Sequence, residues 1–305
     1  MPKVSFCLKA VMAASTMACL FSPASAQRLP AGTTVTSAAV TGLNQFDTGI
    51  SGGGSFNWSE ANANVNVTRQ FTSEFAAGMS VRYYYQNWNW TDPQGLGGRS
   101  PWTSINTPAL GMNFSYSPAP DWRIGFAPTV EWSGESGTGT GGTATYGAVM
   151  SVAHTFSSDL TLGVGAGVFR QIDENKVFPY LLVNWKITDK LRLGNSLPAG
   201  PAGGAGLELS YALTDRLLVG VGGAYRVYRF RLNDNGPVPN GIGQNSLVPI
   251  FGRVSYQFDT GTRLDLYGAA TTGGRLSTTD NSGNTVYSEN YKTGLAIALT
   301  LSQRF

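Results

Sequence analysis

The stretch Tyr291–Phe305, YKTGLAIALTLSQRF, alternates strictly between two kinds of side chain. Successive side chains of a β-strand point to opposite faces, so the stretch predicts a strand with two unlike faces. The mostly apolar face holds Tyr291, Thr293, Leu295, Ile297, Leu299, Leu301, Gln303 and Phe305. The small or hydrophilic face holds Lys292, Gly294, Ala296, Ala298, Thr300, Ser302 and Arg304. Such a strand fits between an apolar medium and a hydrophilic one.

The same two-residue rhythm recurs along the chain from about residue 60 onward. Leu207, Leu209, Tyr211 and Leu213 alternate with Glu208, Ser210 and Ala212, and Leu162, Val164, Ala166 and Val168 alternate with Thr161, Gly163, Gly165 and Gly167. Lipid requires one face to be apolar, because a charge there costs roughly 2–4 kcal/mol at the bilayer midplane. The rhythm therefore sorts outward from inward residues.

Tight turns alternate with longer Gly-, Asn-, Ser- and Pro-rich segments between these strands. This asymmetry predicts short periplasmic turns and long extracellular loops. The predicted class is all-β: a closed antiparallel transmembrane β-barrel of about fourteen strands, with about twelve as the alternative. The predicted strands are 33–46, 56–71, 75–90, 105–117, 122–133, 143–156, 160–171, 178–187, 191–197, 204–213, 216–231, 247–258, 263–273 and 287–305. The first strand and 191–197 carry the weakest pattern.

Composition narrows the class further. Charged residues make up 13% of the chain, aromatic residues make up 11%, and Gly occurs 39 times. So little charge cannot coat a soluble β-sandwich or lipocalin, and no run of about 18 apolar residues predicts a membrane-spanning helix. Aromatic residues collect at strand ends, where two interfacial girdles are expected. Trp88, Trp90, Trp102 and Trp132 are assigned to the girdle beside the loops.

The N-terminus reads as a secretory signal peptide. Lys3 and Lys9 precede an apolar core, and Ala24-Ser25-Ala26 forms an A-x-A cleavage site, so residues 1–26 are the predicted signal and 27–305 the predicted barrel. A lipoprotein site at Cys19 is the alternative. Cys7 and Cys19 both lie in the signal, which leaves no cysteine for a disulfide or a metal site in the mature chain.

Removal of the two signal lysines takes 21 basic residues to 19, and 19 minus 18 acidic residues leaves a net charge of +1. This near-neutral balance gives no indication of nucleic-acid binding.

A chain that ends in Phe after alternating apolar residues resembles the Gram-negative outer-membrane proteins at their C-terminal assembly signal. The resemblance implies a location in the outer membrane, contact with its lipid, and recognition by the barrel assembly machinery and periplasmic chaperones. Phe305, Leu301 and Leu299 would be the signal residues. An exposed strand edge with alternating apolar side chains is suited to strand addition. No single transporter family is indicated.

Every second residue of a strand points to the same face, and we call this shared orientation parity. Parity also places charged side chains inside the barrel. The predicted inward cations are Arg82, Arg123, Lys186, Arg192, Arg216, Arg226, Arg253, Arg263, Lys292 and Arg304. The predicted inward acids are Glu131, Glu208 and Asp265. Fixed positive charge in a narrow pore favours anions. The alternative is a salt-bridged plug that closes the lumen, with Arg263 and Asp265 paired across neighbouring strands.

Little in the sequence indicates an enzyme. The single histidine, His154, shares parity with the apolar set of its strand, and no acid lies on its own face of that strand. A catalytic triad needs its base within hydrogen-bond reach of a nucleophile and an orienting group. No cofactor or metal is predicted. The prediction is a passive channel or transporter for small, anionic solutes; a closed surface-interaction barrel and an outer-membrane enzyme are the alternatives, and the oligomeric state is left open.

Overall fold

The computed structural model describes residues 29–305, which form a closed antiparallel β-barrel of 14 strands. The strand segments are β1 (Thr34–Gly49), β2 (Ser55–Gln70), β3 (Phe75–Thr91), β4 (Ser104–Tyr116), β5 (Trp122–Trp132), β6 (Gly134–Glu135), β7 (Ala144–Ser157), β8 (Leu160–Gln171), β9 (Glu174–Lys186), β10 (Leu191–Gly194), β11 (Leu207–Ala212), β12 (Leu217–Gly223), β13 (Arg226–Arg231), β14 (Ile242–Gln257), β15 (Thr262–Thr279), β16 (Thr285–Asn290) and β17 (Gly294–Arg304). A short 3₁₀ helix, η1 (Gln94–Leu96), follows β3.

Three consecutive pairs of segments act as interrupted single strands. β5 and β6 share the partner β4, β12 and β13 share β14, and β16 and β17 share β15. Counting each pair once gives the predicted number of strands, so the alternative of twelve is wrong. The predicted signal-cleavage residues Ala24 and Ala26 lie outside the described residues.

Closure comes from the first and last strands. β1 pairs with β2 on one side and with β17 on the other, with Val40 opposite Leu301 and Thr41 opposite Thr300. Closing the sheet satisfies the backbone groups that a free strand edge would leave exposed.

The two ends of the barrel differ in their connections. At the turn end the strands are joined by tight turns; for example, the backbone amides of Gly261 and Thr262 both donate to the Asp259 carboxylate at 2.7 Å. These hydrogen bonds to the charged form lower the pKa of Asp259. At the loop end, longer segments such as 92–103 and 232–241 connect the strands. The predicted asymmetry between short turns and long loops is confirmed.

The residues that point outward are apolar over most of the wall. Val164, Val177 and Leu295 are 62%, 68% and 63% exposed, and the predicted outward residues Leu207 and Leu209 are exposed as well. An apolar belt of this kind suits lipid and not water. No helix within residues 29–305 is long and apolar enough to cross a membrane.

Some predicted boundaries were wrong, and all of these lie on the loop-end side. Segment 232–246 was predicted as a loop, but β14 already begins at Ile242. A loop was predicted between the strands 263–273 and 287–305, but only residues 280–284 separate β15 from β16. These strand ends face protein on the inside, so they lack the lipid-driven alternation on which the prediction depended.

Candidate functional site

The turn-end half of the lumen is lined by small and hydrophilic side chains. Thr41, Thr155, Thr161 and Thr300 face inward and are half-buried, which means that solvent reaches them. The hydroxyls of Thr41 and Thr300 hydrogen-bond across the closing strand pair at 2.9 Å. Inward residues such as Gly78, Ser80, Gly111 and Ala298 add little volume. This half therefore forms a hydrophilic vestibule.

A buried ion network lies on one wall of the vestibule. The Arg253 guanidinium donates through Nε to both carboxylate oxygens of Glu208, at 3.2 and 3.1 Å, and through Nη1 to Asp265 at 2.8 Å. All three side chains are at most 6% exposed. The Glu208 carboxylate occupies the space that a side chain at Gly220 would fill. Paired, multiply hydrogen-bonded charges of this kind are tolerated away from water, whereas single ones are not.

The predicted pairing of Arg263 with Asp265 occurs, but its geometry was predicted wrongly. Arg263 Nε donates to Asp265 Oδ2 at 2.9 Å. Both residues belong to β15, so the ion pair runs along one strand instead of across two. The network as a whole joins β11, β14 and β15, which carry Glu208, Arg253 and Asp265.

The remaining predicted lumen cations divide into two groups. Arg82, Arg123, Arg192, Arg226 and Arg304 keep the inward parity and are buried or half-buried. Lys186 lies at the turn-end rim, where it pairs with Asp189 at 2.7 Å. Arg216 and Lys292 are exposed outside the regular strands, in the turn before β12 and in the break before β17, so their assignment to the lumen was wrong.

The middle of the lumen holds acids and bases together. Glu60, which the sequence analysis missed, faces inward from β2 and accepts hydrogen bonds from Gln86 and Asn62 at 2.9 Å each. Arg82 lies beside the Tyr84 hydroxyl and the Glu131 carboxylate. Glu60 shares the parity of Phe56 and Trp58, so the sequence carried the signal.

The loop-end half of the lumen is filled by an aromatic cluster. Trp58 stacks on Trp88 with ring centroids 5.2 Å apart, and Trp88 stacks on Trp90 at 5.6 Å. Trp102 meets the edges of Trp88 and Phe230 at 5.5 and 5.1 Å. The completely buried members include Phe56 and Leu276, both at 0% exposure. Offset and edge-to-face contacts of this kind give a rigid, dry core.

The assignment of Trp88, Trp90 and Trp102 to an interfacial girdle was therefore wrong. Trp88 and Trp102 are 3% and 1% exposed inside the barrel, and Trp90 packs against the same cluster. Trp88 has the inward parity of Arg82 and Tyr84, which the tendency of aromatic residues to lie at strand ends obscured.

Two chain segments, 92–103 and 226–241, close the loop end and are here called the lid. Leu96 and Trp102 come from the first, and Phe230, Leu232 and Val238 come from the second. The second segment leans across the mouth, because Arg231 of β13 forms a parallel bridge to Gly134 of β6. β6 belongs to a strand that is not adjacent to β13 in the wall. The lid thus spans the bore.

A single carboxylate joins the two lid segments. Glu135 Oε1 accepts from the backbone amide of Thr103 at 2.9 Å, and Glu135 Oε2 accepts from the backbone amide of Asn233 at 3.1 Å. Glu135 is 5% exposed, so water does not replace these bonds easily. Hydrogen bonds to an ionised acceptor are about twice as strong as neutral ones. Glu135 lies just beyond the predicted strand 122–133, and the sequence analysis did not identify it.

Two ion pairs fasten the second lid segment to the β8–β9 turn. Arg231 Nη2 lies 2.8 Å from Asp173 Oδ2, and Arg229 Nη1 lies 3.5 Å from Glu174 Oε2. Both acids are about half exposed, so each pair contributes modestly to stability.

His154 lies on the outside of the barrel at the turn end. Its ring is 4.6 Å from the rings of both Trp122 and Phe156, and its Nε2 is 3.4 Å from Asp121 Oδ2. The acid comes from the turn before β5 and not from its own strand. Among residues 29–305, no group of three or more His, Cys, Asp or Glu side chains could hold a metal ion.

The three C-terminal residues that resemble an assembly signal lie on the outer face of the closing strand or directly after it. Leu299, Leu301 and Phe305 are 48%, 51% and 73% exposed. The Phe305 amide donates to the Thr36 carbonyl of β1 at 2.9 Å, which ties the end of the chain into the closed sheet.

Part of the chain matches a family of known proteins. Residues 143–237 match a family described as a domain of unknown function, DUF6268. No curated protein matches the chain significantly. The COG4313 outer membrane channel from Pseudomonas putida F1 aligns over 93% of this chain and 100% of its own, with 7% identity and a TM-score of 0.48.

Two further solved structures are similar at the same low level. The Pseudomonas putida toluene transporter TodX aligns over 92% of this chain and 91% of its own, with 11% identity and a TM-score of 0.44. The KdgM porin in complex with disordered oligogalacturonate aligns over 86% and 97%, with 9% identity and a TM-score of 0.35. Function must therefore be argued from the lumen of this chain.

Proposed function

We propose that the protein is a gated channel for small solutes in the outer membrane, with its turn end in the periplasm. The observation that carries the proposal is the contrast along the bore: a hydrophilic vestibule at the turn end leads to a lid that closes the loop end. The lid consists of two segments that both bond to Glu135. The first segment, 92–103, is a loop outside the wall, whereas β13 in the second segment also pairs with β14 of the wall. The first segment can part from the second at this carboxylate and at the Trp102–Phe230 contact without breaking a strand pair of the barrel.

The experiment is planar-bilayer conductance of the wild type and of Glu135→Ala. The substitution leaves the amides of Thr103 and Asn233 without an acceptor, which costs roughly 1–3 kcal/mol for each buried group. We expect the open probability to rise at least tenfold, because about 1.4 kcal/mol corresponds to a factor of ten.

The matched control is Asp234→Asn, an acid on the same lid that is exposed and bonds only to the neighbouring Asn235. It should leave conductance unchanged. A wild type and a Glu135→Ala variant that both fail to conduct would support the alternative, a closed surface-interaction barrel.

The proposed solute class is anionic, with a weaker preference than the sequence count suggested. Among the predicted lumen residues that keep an inward position, together with Glu60, there are seven cations, namely Arg82, Arg123, Arg192, Arg226, Arg253, Arg263 and Arg304, against four acids, namely Glu60, Glu131, Glu208 and Asp265. Seven minus four leaves an excess of three positive charges, which biases an open pore toward anions. A reversal potential in a salt gradient checks this, and a cation preference in Glu135→Ala would contradict it.

For biogenesis, we propose recognition by the barrel assembly machinery through Phe305, Leu301 and Leu299. The exposure of these side chains on the last strand supports the proposal. Phe305→Ala should reduce the amount of folded protein in the outer membrane, measured by the heat-modifiable gel shift. Val177→Ala, an exposed outward residue in mid-chain, is the control.

A further inference from the structure

The barrel wall is interrupted on one side. β10 has 4 residues and β11 has 6, whereas their neighbour β9 has 13. β10 pairs with β9 only from Asn184 to Lys186. Within residues 29–305, no strand pairs with β9 from Glu174 to Val183 on the side opposite β8, and none joins β9 to β13. We call this opening between β9 and β13 the wall gap.

The wall gap lies within the apolar belt. Val177 and Leu181, on the outer face of β9 beside it, are 68% and 59% exposed, and Tyr225 before β13 is 57% exposed. Backbone groups left unpaired in hydrocarbon cost several kcal/mol each, so irregular backbone at this depth is tolerated only where protein or a cavity satisfies it. An opening at this depth therefore lowers the stability of the barrel, and its presence points to a function.

A side chain satisfies part of the hydrogen-bonding groups on the free edge of β9. Asn195 imitates the missing strand: its Oδ1 accepts from the Val183 amide at 2.8 Å, and its Nδ2 donates to the Leu181 carbonyl at 3.2 Å. The backbone groups of Val183 and Leu181 that bond to Asn195 point toward the wall gap. Two residues before Leu181, the residue with the same backbone orientation is Pro179, which has no amide hydrogen that needs an acceptor. Proline in a sheet is confined to such edges.

The chain that would have completed the wall, residues 195–206, folds into the lumen instead and is here called the inward segment. Its Ala199 and Ala205 pack on inward side chains of β7, β8 and β9. Gln171 Nε2 donates to the Pro201 carbonyl at 3.3 Å, and Arg226 donates to the Pro198 carbonyl at 3.2 Å. The covered patch consists of Val149, Ala153, Phe169, Phe178, Tyr180 and Leu182.

The inward segment carries little apolar side-chain area, and hydrogen bonds hold it at both edges, as from the Val227 amide to the Ala202 carbonyl at 2.9 Å. It contains four Gly, three Ala and two Pro among its 12 residues and has no charged side chain. Small side chains bury little apolar area, so displacement costs less than it would for a strand of Leu or Val. Once displaced, the segment would leave an apolar path from the membrane belt to the vestibule.

We propose that the wall gap is a lateral port through which an uncharged apolar small molecule passes between the bilayer and the lumen. The chemistry of the solute follows from the lining, in which six apolar side chains outnumber the polar Gln171 and Arg226 and no acid takes part. The port rests on the proposed channel function, but it bypasses the lid, so it operates when the loop end is closed.

The test is a disulfide that fixes the inward segment. A Cβ atom built on Gly204 lies 3.4 Å from Cβ of Tyr180, close to the range of about 3.5–4.5 Å found in disulfides. Cells that produce the Gly204→Cys/Tyr180→Cys variant are compared, oxidised and reduced, for the rate at which the uncharged dye N-phenylnaphthylamine enters them. The control is the single variant Tyr180→Cys, oxidised and reduced in the same way, because it carries the same substitution at position 180 and has no cysteine at position 204 to bond with.

We expect the wild type to speed dye entry severalfold over cells without the protein. The oxidised Gly204→Cys/Tyr180→Cys variant should fall to the level of cells without the protein and recover on reduction, while dye entry through the Tyr180→Cys variant should be the same in both states. A heat-modifiable gel shift verifies folding of each variant. Because the same protein is compared with and without the bond, loss of the Tyr180 side chain cannot imitate the result.

Dye entry that oxidation leaves unchanged, or a wild type that does not speed entry, would overturn the port. The channel itself is judged separately by the conductance of Glu135→Ala. If that variant conducts while the dye result is negative, the port is wrong and the channel stands. If oxidation blocks ion conductance but not dye entry, the inward segment belongs to the axial path and the port is again wrong.

Discussion

The two halves of the lumen are lined by opposite kinds of side chain. At the turn end, small and hydroxylated residues leave room for water, and the buried charges are paired on one wall, as Arg253 is with Glu208 and Asp265. At the loop end, aromatic rings from sequence-distant segments fill the section completely, as Trp58, Trp88 and Trp102 do. The comparison teaches that closure belongs to one end only, where rings from wall strands, such as Trp58 and Trp88, pack against residues of the lid, such as Trp102.

The largest effect is expected from breaking the ion network of the vestibule wall. Arg253→Ala leaves Glu208 and Asp265 buried without their main partner, and removal of one member of a buried ion pair costs about 3–5 kcal/mol. The urea midpoint of the purified barrel measures this loss. Arg216→Ala, an exposed arginine in a turn, should shift the midpoint little. Equal shifts would mean that the network contributes nothing.

The lid should respond differently to a similar loss. Trp102→Ala removes a fully buried ring, which costs about 3–5 kcal/mol in packed cores. We expect this loss mainly as lid opening, with higher conductance and a nearly unchanged urea midpoint. Trp102→Phe is the matched variant, because it keeps the apolar ring and removes an indole N–H that has no partner. A large fall in the midpoint for Trp102→Ala would show that lid and wall unfold together.

A smaller effect concerns the glycines that make room for inward rings. A side chain at Gly165 would collide with the Tyr180 ring and the Met150 carbonyl, whereas nothing lies within 4 Å of a Cβ atom at Gly268. Gly165→Ala should cost about 1–3 kcal/mol as overpacking. Gly268→Ala should be close to neutral. The urea midpoints of the two variants measure this difference in stability. Equal midpoints would contradict the close packing of the Tyr180 ring over Gly165.

The smallest effect is expected at the turn that Asp259 orders. Its pKa is lowered because backbone amides donate to the carboxylate, so its stabilisation is fully present above the ordinary pKa of an aspartate. The stabilisation is lost as the pH falls through the lower, folded pKa. Asp259→Asn should therefore lower the urea midpoint at neutral pH, and the difference should vanish in strong acid. A difference that persists or grows in acid would contradict this assignment.

Sequence alone predicted the wall well and the lid poorly, for a physical reason. Lipid imposes a two-residue alternation on every strand it touches, so residues such as Leu207 and Glu208 could be sorted without coordinates. Trp102 and Phe230 meet inside the bore only because the barrel closes. Nothing in local periodicity reports such a contact between distant segments.

The site shows the same division. Parity placed Glu131, Glu208 and Arg253 inward, and it could also have found Glu60. Parity could not find Glu135, because its role depends on the amides of Thr103 and Asn233 arriving from two loops. Strands β10 and β11 were predicted to be longer than they are. The inward segment between them is also uncharged, so its sequence does not show that the strand pairing has ended.

The most direct test of the contrast between the two halves is labelling of single cysteines by a charged, membrane-impermeant thiol reagent in permeabilised cells. Thr300→Cys lies in the vestibule, where the residue is half-buried, and Thr145→Cys lies at the loop end, where the residue is 0% exposed. Rapid labelling at position 300, with labelling at position 145 at least tenfold slower, is the predicted result. Equal rates at the two positions would contradict a bore that is open at the turn end and closed at the loop end.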